Sequence, residues 1–192
     1  MITTDQIKQL RNITGVSVME CKKALEEAQG DLDKAIIILR KKSKAVADKK
    51  ADRTLASGVV ASYIHNTGTV GAMVILSCET DFVARNEEFK KLAYEIAMHV
   101  AALSPEYLKK GDIPESARDK ALEVFKAEVL DKPKEIQEKI LEGKLDVYFN
   151  EKVLLSQPFI KDPTLTIQNL VEAAVQKFGE KTELTRFVRF SI

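Results

Sequence analysis

Apolar positions recur at helical spacing over residues 1–40, alternate with polar ones further on, and then return to the helical period, so the chain divides by pattern alone. Ile7, Leu10 and Ile13 share one helical face, preceded by Thr3 and Gln6 at capping-box spacing and followed by Gly15 as a stop. Ser17 and Glu20 repeat the device ahead of Val18, Cys21, Ala24, Leu25 and Ala28, a stripe that ends at Gly30. Asp31 caps a third stripe of Leu32, Ala35, Ile36 and Leu39. Three short helices with brief connections predict a compact bundle over 1–40. That is close to the lower size limit for independent stability.

Residues 40–53 interrupt this pattern with seven basic and two acidic side chains and little apolar material. They read as a basic helical linker, 41–57, solvated and able to let the bundle reach a partner away from the main body. A phosphate-binding stripe is the alternative, weakened by the lack of aromatic residues for stacking.

Residues 59–65, the turn Asn66-Thr67-Gly68 and the apolar run 70–78 predict a β-hairpin whose second strand is covered on both faces. Residues 78–86, CETDFVARN, then occupy a strand-to-helix junction, a common place for function. Thr80 or Asp81 there is suited to cap a helical turn that holds Phe82 and Val83 at the rim of the fold beside an acidic group. On pattern alone, burial of both apolar residues is the commoner outcome. Asn86 caps the most regular stripe, Phe89, Leu92, Ala93, Ile96, Ala97, Val100 and Leu103, with Glu87 and Glu88 at the positive end of the helix dipole.

Residues 114–129 give a further helix, Pro133 opens one that stops near Gly143, and Leu145, Tyr148, Phe149 and Val153 continue helically toward Pro158. Ile167, Leu170, Val171, Ala174, Val175 and Phe178 mark the last helix, ended by Gly179, and residues 184–192 alternate as a third, antiparallel strand. The expected class is α+β: a three-helix bundle followed by a core, 58–192, of a small three-stranded antiparallel sheet packed with helices.

The 192 residues are 45% hydrophobic, enough for one ordinary domain with a small appendage. A formal net charge of +1 argues against a surface for nonspecific nucleic-acid binding. No apolar stretch reaches the roughly 18 residues of a membrane span and none resembles a signal peptide, so a soluble intracellular protein is expected. Cys21 and Cys78 form no C-x-x-C pair and are expected reduced and buried. No glycine-rich phosphate loop occurs, and His65, His99, Cys21 and Cys78 match no zinc spacing. We therefore expect neither a cofactor nor a metal. Cys78 with a histidine and Asp81 is the one hydrolase set that spacing leaves open, and no nucleophile elbow supports it. The chain is not expected to be an enzyme.

Four segments, LRNITGVSVMECKKALEEAQGD at 10–31, CETDFVARN at 78–86, EGKLDVYFNEKVLLSQPFIKDP at 142–163 and RFVRF at 186–190, occur in the order found in the elongation factor Ts family. The chain resembles that family over nearly its whole length. The resemblance implies a UBA-like N-terminal bundle and guanine nucleotide exchange on the GTPase elongation factor Tu. It implies that Thr80, Asp81, Phe82 and Val83 insert beside the magnesium site of that GTPase, with Phe82 as apolar wedge. It also implies a second contact by Arg11, Val18 and Met19, although from the residues alone Arg11 reads equally as a surface charge and Val18 as core. Val16, Ser17 and Val18 depart from the common Gly-Ala-Gly-Met form, and Asp52 and Ser57 stand where glycine and glutamate are usual.

The single core resembles the short form of the family, which pairs as a homodimer, a resemblance that implies His65 reaches the GTPase from the mate subunit, although from the residues alone His65 reads equally as an ordinary hairpin residue. A bacterial cytoplasm is the expected setting, an organellar matrix the alternative, with no direct contact to nucleic acid or membrane. Two rival readings stand beside this one: a UBA-like interaction module without exchange activity, and an RNA binder resting on residues 40–53.

Overall fold

A computed structural model describes residues 2–129 and 133–192. Met1 and 130–132, which the ranges above include, lie outside the described residues. Helices α1 (Thr4–Thr14), α2 (Val18–Glu27) and α3 (Leu32–Lys49) open the chain, followed by β1 (Ser57–Ile64), β2 (Val70–Cys78), the single turn α4 (Asp81–Ala84) and α5 (Glu87–Leu103). Then come α6 (Glu115–Glu128), α7 (Lys134–Asn150), the short strands β3 (Pro158–Phe159) and β4 (Asp162–Thr166), α8 (Ile167–Phe178) and β5 (Thr182–Ser191).

Each expected N-cap side chain accepts a backbone amide, but the reciprocal bond of a full capping box forms at Thr3 and Gln6, whereas the Glu20 carboxylate pairs with Lys23. Thr3 Oγ1 accepts the Gln6 amide at 3.2 Å while Gln6 Oε1 accepts the Thr3 amide at 2.9 Å, a complete capping box. Ser17 and Asp31 accept from the amides of Glu20 and Lys34 at the starts of α2 and α3. Leu10, Val16, Cys21, Ala24, Leu25, Ala35 and Leu39 bury one another as the core of the bundle. Ile13 and Val18, expected on the inward stripes, are exposed instead, because each lies at the α1–α2 connection where the helices diverge from that core.

Helix α3 does not end at Arg40. It continues unbroken to Lys49 and packs along α8. Ser43 is buried there, its hydroxyl donating to the Leu39 carbonyl at 3.0 Å and hydrogen-bonded to Gln176, while Lys50 Nζ donates to the Gly179 carbonyl at 2.5 Å. The segment expected as a solvated linker is therefore two-faced, with Lys41, Lys44, Asp48 and Lys49 in solvent and Ser43 against the body. A composition of good helix formers sets the length of α3, and one small side chain lets it approach α8.

The three-stranded sheet has the order β1–β2–β5 and is antiparallel throughout, so the two ends of the core meet on β2. Its inner face, Ala72, Val74, Leu76 and Cys78 of β2 with Leu184 of β5, packs under Phe89, Ala93, Ile96, Ala97 and Val100 of α5 and Ile167 and Val171 of α8. Coverage of β2 on both faces is not what the structure shows. Met73, on the opposite face, is exposed. The apolar run records one core face plus an outer face on which Met73 is exposed and Ile75 partly so.

Three local features differ from the sequence expectation. Gly143 lies inside a continuous α7 rather than ending a helix; a single glycine costs about 1 kcal/mol, less than the burial of Leu141, Leu145 and Phe149 on the same helix returns. The Pro158 break contains the β3–β4 ribbon, too short to give a period-2 signal. Thr166 and Asn169 make a further capping box at the start of α8. Helices α6 and α7 pack on each other through a separate cluster of Ala121, Leu145 and Phe149, with Phe125 set edge-on to Tyr148.

His99 of α5 is wholly buried. Its Nδ1 accepts the Ile160 amide at 3.3 Å, which requires the neutral ring with its proton on Nε2, donated to Gln157 Oε1 at 3.0 Å. Burial holds its pKa below the ordinary 6.5. The unfolded chain takes up a proton near that pH while the folded chain resists it, so stability present above 6.5 is lost as pH falls through the depressed value. Urea unfolding at about pH 7.5 and about pH 5.5 should show lower stability at the acid value, with the difference reduced in His99→Gln. Equal pH dependence in both proteins would refute this assignment.

Candidate functional site

Residues 78–86 leave the end of the central strand and enter α5, with Cys78 buried, Thr80, Asp81 and Phe82 exposed, and Val83 and Ala84 buried again. Cys78 is buried, its thiol donating to the Thr80 carbonyl at 3.2 Å. Burial pushes the Cys78 thiol pKa up, with Glu180 adding to the effect, so it stays protonated and unreactive. Val83 is 5% exposed and belongs to the main core, whereas Phe82 beside it is 83% exposed. Pattern alone treats these neighbours as equals; the single turn of α4 separates them, because residues one apart on a helix do not share a face.

Thr80 stands at the N-cap position of α4 with extended backbone, yet its side chain does not cap. Its hydroxyl donates to Glu180 Oε1 at 2.6 Å and its amide to Glu180 Oε2 at 2.9 Å. Asp81 is exposed and pairs with Arg85 at 3.0 Å, a solvated i,i+4 contact of small energetic weight. Asn86 then caps α5, its Oδ1 accepting the Glu88 amide at 2.9 Å. The result is a short, tied loop that presents an aromatic ring and a carboxylate side by side. Glu180 carries no signal in the local sequence, since it lies 100 positions from its partner.

The other expected contacts lie elsewhere on the chain. Arg11, on the last turn of α1, is exposed, as are Val18 (49%) and Met19 (61%) on the first turn of α2. They share the α1–α2 end of the bundle, with Gly15 (φ +68°) making the turn between them. His65 is exposed at the tip of the β1–β2 hairpin, its Nδ1 hydrogen-bonded to Tyr63 Oη at 3.1 Å. The tip and the Phe82 loop are at opposite ends of β2, roughly 26 Å apart at about 3.3 Å per residue over the strand. One subunit therefore does not bring His65 and Phe82 to the same point.

No group of three or more His, Cys, Asp or Glu side chains that could hold a metal ion occurs among the described residues, and none of their helices is long and apolar enough to cross a membrane. This is the geometry of a contact surface: tied backbone, exposed ring, exposed charge.

A family model described as Elongation factor TS matches residues 5–192. The chain belongs to the elongation factor Ts family. Elongation factor Ts of Thermodesulfovibrio yellowstonii is 50% identical over 192 residues, covering 100% of this chain and 96% of the relative. The Carboxydothermus hydrogenoformans protein of the same name is 47% identical over 194 residues, covering 100% and 89%, and that of Thermotoga maritima is 46% identical over 191, covering 100% and 96%. The chain is thus a translation elongation factor of the Ts type, and the four segments that resembled the family fall within the matched range.

The contrast between Phe82 and Val83 is testable in the isolated protein. Phe82→Ala should leave thermal stability within about 0.5 kcal/mol of the parent. Val83→Ala should cost about 2 kcal/mol through lost burial. Equal losses in thermal melts would contradict the assigned orientation of α4.

Proposed function

We propose that the chain is a guanine nucleotide exchange factor that binds elongation factor Tu carrying GDP, displaces magnesium and releases the diphosphate so that GTP can enter. The observation that carries this reading is Phe82, a large aromatic residue 83% exposed on a loop tied at both ends, inside the signature that the family shares. Exposed aromatics of this kind are commonly anchors that find a pocket on a partner.

The mechanism needs no covalent chemistry. A GTPase holds its nucleotide through phosphate contacts and an octahedral magnesium ion. A factor that binds the nucleotide-free state more tightly than the loaded state weakens nucleotide binding by the same factor. Phe82 acts as the wedge beside the metal site, Asp81 disturbs the polar network supporting the ion, and Thr80 fixes their approach. Val83 serves from beneath, as the core anchor that stops the loop yielding when Phe82 is pushed. Arg11, Val18 and Met19 on the N-terminal bundle, which we take to be UBA-like, supply a second contact that raises affinity without entering the nucleotide site.

The short single core works as a homodimer in this account, in the bacterial cytoplasm. Val60, Ile64, Met73, Val188 and Phe190 stand exposed on the outer sheet face, with Met73 opposite Val188 and Gly71 opposite Phe190 in register. Contiguous apolar surface of this kind is uncommon on monomers. Two such faces stacked as a sandwich, with strands opposed, carry His65 of one subunit toward the Phe82 loop of its mate.

Release of a fluorescent GDP analogue from elongation factor Tu should accelerate with catalytic amounts of the protein, and Phe82→Ala should lose about 2 kcal/mol of that effect, roughly thirtyfold. Parental release rates from folded Phe82→Ala would overturn the wedge. Light scattering should give twice the 21.5 kDa chain mass, falling to one chain in Met73→Asp; a monomer mass for the parent would overturn the dimer.

A further inference from the structure

The turn between α8 and β5 exchanges hydrogen bonds with the signature loop in both directions. Glu180, from the turn, accepts the amide and hydroxyl of Thr80. Glu79, from the loop, accepts the Lys181 amide at 2.5 Å and is paired with Arg53, whose Nη1 lies 3.0 and 3.3 Å from its two oxygens. The Lys181 amide first, and then Arg53, hold the Glu79 carboxyl below its ordinary pKa. Lys181 Nζ donates in turn to the carbonyls of Ala51 at 2.6 Å and Arg53 at 3.1 Å, on the segment that follows α3.

Two features indicate that these bonds serve position more than fold. The hydroxyl of an N-cap threonine ordinarily satisfies its own helix, but Thr80 gives that up and binds a residue 100 positions away. The clamp also lies outside the core, since Thr80 is exposed and Glu180 only half-buried, while Cys78 and Val83 already attach the loop to the core. The clamp adds the angle at which residues 80–82 leave the sheet. The other polar contacts just before Phe82 are local, the Thr80 carbonyl accepting the Cys78 thiol at 3.2 Å and the Ala84 amide at 3.3 Å and Asp81 making a solvated salt bridge with Arg85, so the bonds to Glu180 tie Thr80 to a distant part of the chain.

We propose that Glu180 is a positioning residue for nucleotide exchange: its two bonds to Thr80 fix the exit of the loop so that Phe82 meets the GTPase in the working orientation. The proposal rests on the wedge reading of Phe82. Glutamine at this position keeps one acceptor for the Thr80 amide and gains a donor for the Thr80 hydroxyl, so it preserves the geometry without the charge. Alanine keeps neither.

The test is GDP release from elongation factor Tu as a function of factor concentration, for the parent, Glu180→Ala, Glu180→Gln and Phe82→Ala, each shown folded by its thermal melt. Glu180→Ala should lower the maximal rate by about tenfold, within the range that a small misplacement produces. Its half-saturating concentration should stay near the parental value because the bundle contact is intact. Glu180→Gln should recover most of the maximal rate. A parental maximal rate in Glu180→Ala overturns the proposal, as does a change confined to half-saturation or a glutamine variant as slow as alanine. The Phe82→Ala curve separates the role of Glu180 from that of the wedge. A slow Phe82→Ala beside a parental Glu180→Ala removes only the role of Glu180, whereas a parental Phe82→Ala removes the wedge itself.

Discussion

The exposure of Phe82 depends on the burial of Cys78 and Val83 on either side of an exposed segment. Both belong to the core that α5 forms with the sheet, and β2, from which the segment emerges, is the central strand with a partner on each side. A side chain that must push into another protein needs a base that does not give way. A well-packed core resists displacement far more than a solvated loop does, and only four residues separate Cys78, the last buried position of the strand, from Val83, with the loop tied to Glu180 between them.

The N-terminal bundle is tied to the same region by a different kind of contact. Its own core is small and separate, yet α3 extends beyond it to lie along α8, and the segment that follows ends at the Arg53, Glu79 and Lys181 cluster beside the loop. The two proposed contact regions are therefore joined through one continuous helix and a polar junction. Exchange requires only that the partner's nucleotide-free form be bound better than its loaded form. A frame that fixes the separation of two contacts is a direct way to favour one partner conformation, because binding energy gained at one contact can then be applied at the other.

How much of this could be read from the sequence depended on how local the cause was. The helix α5 was plain, since Asn86, the acidic first turn and a seven-residue stripe all lie within the element itself. The capping box of Thr3 and Gln6, the hairpin and the antiparallel third strand are legible as well. The length of α3 was not, because whether a polar helix former is solvated or docked is decided by α8, more than a hundred residues on. Gly143 misleads because a stop signal is overruled by packing against α6, and Phe82, for which pattern alone makes burial the commoner outcome, because a single helical turn gives too few positions for a period to show. Met73 is the reverse case: the apolar run on β2 suggests double coverage, yet Met73 faces outward. Within the site, the exposed ring at Phe82 followed from the family signature, but the carboxylate that holds Thr80 came from the far end of the chain and left no trace in spacing.

In the proposed function the protein acts on the partner's magnesium ion rather than on the nucleotide. That action is tested most directly by GDP release from elongation factor Tu at saturating protein, measured across a range of free magnesium down to full chelation. The account predicts a large fold acceleration when magnesium is abundant and a much smaller one when it is absent, because a site already emptied of its ion leaves the wedge little to displace. The same fold acceleration at every magnesium concentration would contradict it.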